Sequence, residues 1–270
     1  MRSAITISLV PQARGGPFVF WDGLAQGCEQ AAALGFDAVE IFPPSAGALN
    51  VGELHALLAR HKLRVAAVGT GGGWVIHKWS LTNPDPGIRA QAREFIRGII
   101  DLAAVFEAPA IIGSMQGRWD PPGSRDQALL WLGEALGELG AHAGTRGQVL
   151  LYEPLNRYET NLINRLPEAA RFLDTLGTRQ VRLLADLFHL NIEEPSIPEA
   201  LRAASSHLGH VHFADSNRHA IGFGHTPIRP IVEALREIGF TGYLSGEILP
   251  LPDSTTAARQ TIQSIRKHTA

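Results

Sequence analysis

Four stretches in the second half of the chain share one pattern: QVLLYEP (148–154), VRLLADLFH (181–189), LGHVHFAD (208–215) and GYLSGEI (242–248). Each is a short apolar run that ends in a side chain able to bind a metal, namely Glu153, Asp186, His212 and Glu247. The runs are largely apolar rather than alternating, as expected of parallel strands covered on both faces. Strand side chains alternate between faces. An inward-pointing terminal residue on each of four successive strands therefore brings three carboxylates and one imidazole to a point near a barrel axis. A buried carboxylate without a partner is costly, and three together repel; a divalent cation relieves both. The competing reading gives each acid its own arginine or a helix to cap, which would need a separate coincidence at each matching strand end.

Outward from these four, the same alternation runs along the whole chain. Strands are expected at 5–10, 36–42, 64–70, 108–114, 148–154, 181–187, 208–214 and 242–248. Helices are expected between them, at 21–34, 50–62, 86–107, 125–145, 166–176, 197–207, 228–239 and 255–268. The third helix is the clearest, with Ile88, Ala92, Phe95, Ile96, Ile99, Ile100 and Ala103 on one stripe. Asn50 and Asp85 are expected N-caps, and Gly35, Gly177 and Gly239 stand where a helix gives way to a strand. Eight β-then-α units without a long linker predict a (β/α)8 TIM barrel, one α/β domain over residues 1–270. An open doubly wound sheet is disfavoured because no GxGxxG turn follows the first strand. Gly71-Gly72-Gly73 lacks the lysine and hydroxyl of a phosphate loop.

A chain of 270 residues suits one barrel. The net charge of −2 gives no reason to expect a nucleic-acid partner, and the apolar run at 4–10 is too short to span a membrane. The lone Cys28 cannot form an internal disulfide, which fits a cytoplasmic location.

The longest connections follow strands, at 11–20, 71–85, 115–124 and 154–165, the ends where a barrel carries its catalytic face. They hold Trp74, His77, Trp79, Trp119 and Tyr158, which either wall a pocket or pack on each other over the barrel mouth. The metal-ligand set is mostly hard oxygen, suiting one Mn²⁺, Mg²⁺ or Co²⁺ ion better than structural zinc. Glu159, His189 and Arg218 lie three to six residues beyond three of the ligands, in loops from which they can reach a substrate held there. His210 shares the parity of His212 one layer deeper and is expected to hydrogen-bond rather than ligate. Glu40 ends the second strand with the same inward logic, either in the site wall or in a salt bridge.

YEPLNRYET (152–160), DLFHLNIEE (186–194), HVHFADSNR (210–218) and the GE of 246–247 resemble the D-tagatose 3-epimerase and D-psicose 3-epimerase family of xylose-isomerase-like barrels. The resemblance implies a metal site at Glu153, Asp186, His212 and Glu247, with manganese the expected ion. It implies substrate contacts at Glu159, His189 and Arg218, and Glu153 and Glu247 as the acid–base pair. It also implies a small-molecule sugar substrate and, by analogy, a homodimer or homotetramer. The stretch IIGSMQGRWD (111–120) departs from the best-known epimerases and is similar to less-defined sugar isomerase/epimerase relatives.

The expected chemistry is C3 epimerisation of a ketose through a metal-chelated cis-enediolate, one carboxylate removing the C3 proton and another returning one to the opposite face. The same site suits aldose–ketose isomerisation or dehydration of an inosose or keto acid. An endonuclease IV-like barrel would need a larger histidine-rich zinc cluster and a basic DNA face. A non-catalytic sugar-binding barrel would need no acid–base pair. Arg118 and Arg218 are the candidates for a substrate phosphate.

Overall fold

The structure, a computed structural model, describes residues 1–269. Eight strands run β1 Arg2–Ser8, β2 Ala38–Phe42, β3 Arg64–Gly69, β4 Ala110–Ile112, β5 Leu150–Tyr152, β6 Val181–Asp186, β7 Leu208–His212 and β8 Tyr243–Gly246. They close into a parallel barrel in sequence order, β8 pairing back onto β1. The α-helices are α1 Leu24–Leu34, α2 Val51–His61, α3 Gly72–His77, α4 Pro86–Val105, α5 Arg125–Thr145, α6 Leu166–Asp174, α7 Leu187–Glu193, α8 Ile197–Ala203, α9 Ile228–Glu237 and α10 Ser254–Thr269. All eight expected strands and eight expected helices are present, so the TIM barrel stands. α3 and α7 occupy stretches expected to be loop. Several strands are shorter than expected, because only three residues of β4 and of β5 complete the ladder.

The helix ends follow local chemistry. Asn50 accepts from Glu53 N at 3.0 Å and Asp85 from Gly87 N at 2.7 Å, so both cap as expected. Gly35 stops α1 in the left-handed region at φ +82, where a side chain would be strained. Gly177 has no such role: α6 has already ended at Asp174, capped by Thr175.

The buried stripe of α4 packs its isoleucines into the layer between helices and sheet. Inside the barrel, strand parity turns Ala67, Ile111, Leu151 and Leu184 inward as one apolar cluster. Opposite them, small residues such as Ala4, Thr6 and Ala38 leave room for Glu40, His210 and His212, all buried. Among the described residues no helix is long and apolar enough to cross a membrane.

Candidate active site

The register of the strands brings the candidate residues together. Asp186 pairs with His212 across β6 and β7, and His212 pairs with Ser245 across β7 and β8. Glu153 and Glu247 each stand one residue beyond their strand, not in its last rung as expected. The parity is kept, so both still point inward. One atom from each of Glu153, Asp186, His212 and Glu247 lies within 4.8 Å of the others, and all four side chains are buried.

Each member is held by its own local structure. Asp186 is the N-cap of α7: its Oδ1 accepts from Phe188 N at 2.8 Å, which leaves Oδ2 for the site. Glu153 has its main chain clamped, its N–H donating to Ile112 O at 3.0 Å and its carbonyl accepting from Gln116 Nε2 at 2.9 Å. Gln116 is in turn fixed by Tyr152 Oη, which donates to its Oε1 at 2.9 Å. Gly113 makes the space for the Glu153 carboxylate, since a Cβ there would stand 2.6 Å from Oε2. His212 donates from Nε2 to Glu40 Oε1 at 3.0 Å, while His210 Nε2 donates to Glu40 Oε2 at 2.7 Å. Those ring roles are assigned from the carboxylate's need for donors. Glu40 is therefore the partner of both imidazoles, and His210 has the hydrogen-bonding role expected of it.

With Nε2 committed, His212 presents the Nδ1 lone pair to Glu153 Oε1 and Glu247 Oε2 at 3.4 Å and to Asp186 Oδ2 at 3.7 Å. Glu153 Oε1 and His212 Nδ1 are buried without a hydrogen-bond partner. Acceptors packed against acceptors in this way repel unless a proton or a cation stands between them. Atoms bound about 2.1 Å from one ion at tetrahedral to octahedral angles lie roughly 3.0–3.4 Å apart. The donor set, its burial and its orphaned acceptors therefore fit one divalent cation.

The ionisation of the site follows the same neighbours. Burial pushes the Glu40 carboxyl up, but the two imidazoles outweigh it and hold the acid well below the usual carboxylate range. Asp186 and Glu247 are likewise pushed up by burial and held down on balance, Asp186 by His189, His212 and Arg218 and Glu247 by His212 and Arg218. Burial, helped by the Glu247 charge, pushes the Glu153 carboxyl up in spite of His212 and His189. Burial pulls His212 down, but the ring of acids raises it well above the ordinary histidine value, so a proton and a cation compete for Nδ1.

The three expected substrate contacts converge on the same place. Arg218 Nη2 donates to Glu247 Oε2 at 2.6 Å and to Asp186 Oδ2 at 3.4 Å, and Nη1 reaches Glu159 Oε1 at 3.5 Å. Its backbone is left-handed at φ +60, an uncommon state for a residue with a side chain. The loop that imposes it is organised by Asp215, whose carboxylate accepts from the main-chain N–H groups of Ser216, Gly222, Gly224 and Thr226. His189 is buried on α7 rather than in a loop, with Nε2 3.6 Å from Asp186 Oδ2 and 3.7 Å from Glu153 Oε1. Glu159 stands at the rim, its Oε1 accepting from Asn156 Nδ2 at 2.9 Å.

A cavity of about 240 Å³ opens onto this cluster. Glu153, Glu159, Arg218 and Glu247 line it together with the apolar side chains of Val10, Phe18, Phe42, Val75, Ile111 and Leu155. The tryptophans expected as a possible wall do not line it. Trp74, Trp79 and Trp119 pack on the core, Trp79 stacks on His77 at 4.1 Å, and Tyr158 points into solvent. Arg118 is also elsewhere, paired with Asp120 at 3.3 Å. Of the phenylalanines that do the lining, Phe42 ends β2, where an apolar residue reads as core, and Phe18 lies in the 11–20 connection. Gly113, Gln116 and Asn156 lie inside the quoted motifs, but nothing in the sequence marks them individually.

The sequence profile described as xylose isomerase-like TIM barrel matches residues 28–268. Over 225 residues the chain is 32% identical to the D-psicose 3-epimerase of Ruminiclostridium cellulolyticum, covering 79% of this chain and 74% of the relative. It is 31% identical over 222 residues to the 3-dehydro-D-guloside 4-epimerase of Escherichia coli, covering 78% and 81%. The D-allulose 3-epimerase structure from Methylomonas sp. superposes with a TM-score of 0.82 at 25% identity, covering 99% of each chain.

Proposed function

Since the chain belongs to the xylose isomerase-like TIM barrel family, among its sugar epimerases, we propose that it inverts C3 of an unphosphorylated ketose with one divalent metal ion, manganese first among the candidates. The observation that carries this reading is the pair Glu153 and Glu247, two carboxyls of one buried cluster entering from strands three apart in the barrel.

A divalent ion held by Glu153, Asp186, His212 and Glu247 would polarise the ketone and so acidify the neighbouring C–H. The rest falls to the chain's own side chains. One glutamate takes the proton from C3 and the other returns a proton to the opposite face of the flattened carbon, inverting the centre. Their unequal surroundings, Glu153 pushed up and Glu247 held down, suit such a pair. Arg218 and His189 supply donors where negative charge grows on the substrate oxygens, and Glu159 accepts from a hydroxyl at the rim. The apolar part of the cavity lining limits water at the reacting carbon.

The free sugar is favoured over its phosphate by charge. Arg218 is the sole cationic side chain among the described lining residues, and Glu247, Asp186 and Glu159 already engage it. A phosphate dianion would meet carboxylates without a cation of its own.

The deciding experiment follows exchange of the substrate C3 proton with D₂O by NMR, with Mn²⁺ or Mg²⁺ present. The panel holds free ketoses, 3-keto glycosides, ketose phosphates, aldoses, inososes and keto acids. Exchange and epimer formation with a free ketose are expected, falling more than about a hundredfold in Glu153→Gln and in Glu247→Gln. Exchange confined to ketose phosphates, or unaltered in both variants, would overturn the reading.

A further inference from the structure

We propose that Asn156 is a positioning residue that fixes the tautomer of His189, so that this imidazole presents an Nε2–H donor to the centre of the site. The use of that donor toward a sugar oxygen rests on the function proposed above; the tautomer itself does not.

The argument begins at a main-chain N–H. Tyr158 N donates to an Asn156 side-chain atom at 2.9 Å, and an N–H can be answered only by the amide oxygen, so that atom is Oδ1. The NH₂ group then has one orientation. One of its hydrogens goes to Glu159 Oε1 at 2.9 Å and the other to His189 Nδ1 at 2.7 Å. An amide N–H cannot face a ring N–H at that distance, so Nδ1 carries the lone pair and the ring proton sits on Nε2. Nε2 is buried, has no hydrogen-bond partner, and lies 3.6–3.7 Å from Asp186 Oδ2 and Glu153 Oε1. A buried donor with nothing to donate to is a group kept for a ligand.

The chain from Tyr158 N–H through the Asn156 amide to the His189 ring thus converts a turn in the β5–α6 loop into a directed hydrogen bond at the site. Main-chain geometry sets it, so it is in place before substrate arrives.

The test reads the ring directly. In the Mg²⁺-loaded, ¹⁵N-labelled full chain, long-range ¹H–¹⁵N correlation spectra distinguish a histidine protonated at Nε2 from one protonated at Nδ1. Wild type is expected to show His189 with the proton on Nε2. Asn156→Asp keeps the acceptor for Tyr158 N but replaces the donor to Nδ1 with an acceptor, so the proton should move to Nδ1. Because Asp at 156 would crowd Glu159, the double variant Asn156→Asp with Glu159→Gln restores a donor to that carboxylate and should show the same shift. An Nδ1-protonated ring in wild type, or an unchanged tautomer in the folded double variant, overturns the proposal. Kinetics form the second arm. With the tautomer moved and metal content unchanged, kcat/KM on the best ketose should fall by about 10- to 100-fold. A moved tautomer with unaltered kcat/KM overturns the donor role. Absence of ketose turnover in wild type defeats the function proposed above and leaves the spectroscopic result decisive for the tautomer.

Discussion

Adding one methyl group at Gly113 should cost the site far more than it costs the fold. The new Cβ would lie 2.6 Å from Glu153 Oε2 and 3.8 Å from Leu155 Cδ2. Ordinary nonbonded contact is near ~3.5 Å, so the carboxylate oxygen must retreat by roughly 0.9 Å. The main chain of Glu153 cannot take up that movement, because Ile112 O and Gln116 Nε2 hold it from both sides. The side chain has to rotate instead. A side chain forced off its rotamer costs about 0.5–1.5 kcal/mol, and the moving atom is its free end, so stability should drop by no more than that. A displacement of about 1 Å at a reacting group costs on the order of a hundredfold in rate, which is about 2.7 kcal/mol of barrier. Gly113→Ala is therefore expected to lower kcat/KM about a hundredfold at saturating metal while its thermal unfolding midpoint shifts by only a few degrees. The two quantities are read on the same preparation, by initial rates and by calorimetry. Activity within about threefold of wild type would refute the placement of Glu153 as a proton-transfer group, and a collapse in stability would refute the claim that only the carboxylate yields.

Exhaustive chelation should abolish turnover and Mn²⁺, Co²⁺ or Mg²⁺ should restore it; saturating metal at a hundred times its Kd should stabilise the chain by about 2.7 kcal/mol, read as a rise in unfolding temperature. Glu40→Gln leaves the His212 and His210 rings with one acceptor between them, so a chelator-competition titration should show metal affinity lower by about 10- to 100-fold. Asp186→Asn must spend its amide oxygen on Phe188 N and turn NH₂ toward Arg218, so metal binding should be lost with the fold kept; Asp186→Ala should lose the helix cap as well, about 1 kcal/mol in denaturant titrations. Burial pushes the Asp215 carboxyl up, but its four main-chain N–H partners hold it below its unfolded value near 3.9, so its contribution is complete above about pH 4 and is lost as pH falls through the folded pKa. Acid titration of stability should accordingly be steeper in wild type than in Asp215→Asn.

The barrel was legible because its code is repetitive. Eight apolar runs and eight amphipathic segments carry the same message, and an error at one end is corrected by the next unit. The ligand cluster was legible for a related reason: strand parity and matching strand ends project Asp186, His212, Glu153 and Glu247 to one place even though the last strand rungs were misjudged by a residue. α7 escaped notice because it is seven residues long and starts directly after Asp186, its N-cap. Two turns of Leu187–Glu193 are too short for helical period to separate from loop. The cavity wall stayed open between two readings because aromatic loops suit a pocket and a lid equally. Only packing shows that Trp74 and Trp79 turn to the core while Phe18 and Phe42 face the cavity. Gly113, Gln116 and Asn156 act through contacts 33 to 40 positions away or through a missing side chain, and neither periodicity nor charge spacing registers such a role.

These silent residues explain how a cluster of like charges can be built at all. Several polar side chains around the site have their orientation fixed by hydrogen bonds to the chain or to each other. Asp186 gives one oxygen to Phe188 N and keeps the other for the site, Glu40 splits its oxygens between two imidazoles, and Asn156 fixes its oxygen on Tyr158 N so that its NH₂ faces His189 and Glu159. These bonds remove the side chains' freedom to turn away from their neighbours. Asp186 Oδ2 and the far nitrogens of the His212 and His189 rings are thereby turned to the common centre, where Glu153 Oε1, His212 Nδ1 and His189 Nε2 remain without hydrogen-bond partners. Left alone, that centre is repulsive, because two of those three atoms are acceptors set among further carboxylate oxygens. A cation and a chelating, hydroxyl-bearing ligand supply the positive charge and the acceptor that the arrangement lacks. Local folding forces therefore gather these side chains into one centre whose donor set fits a divalent cation and a hydroxyl-bearing ligand.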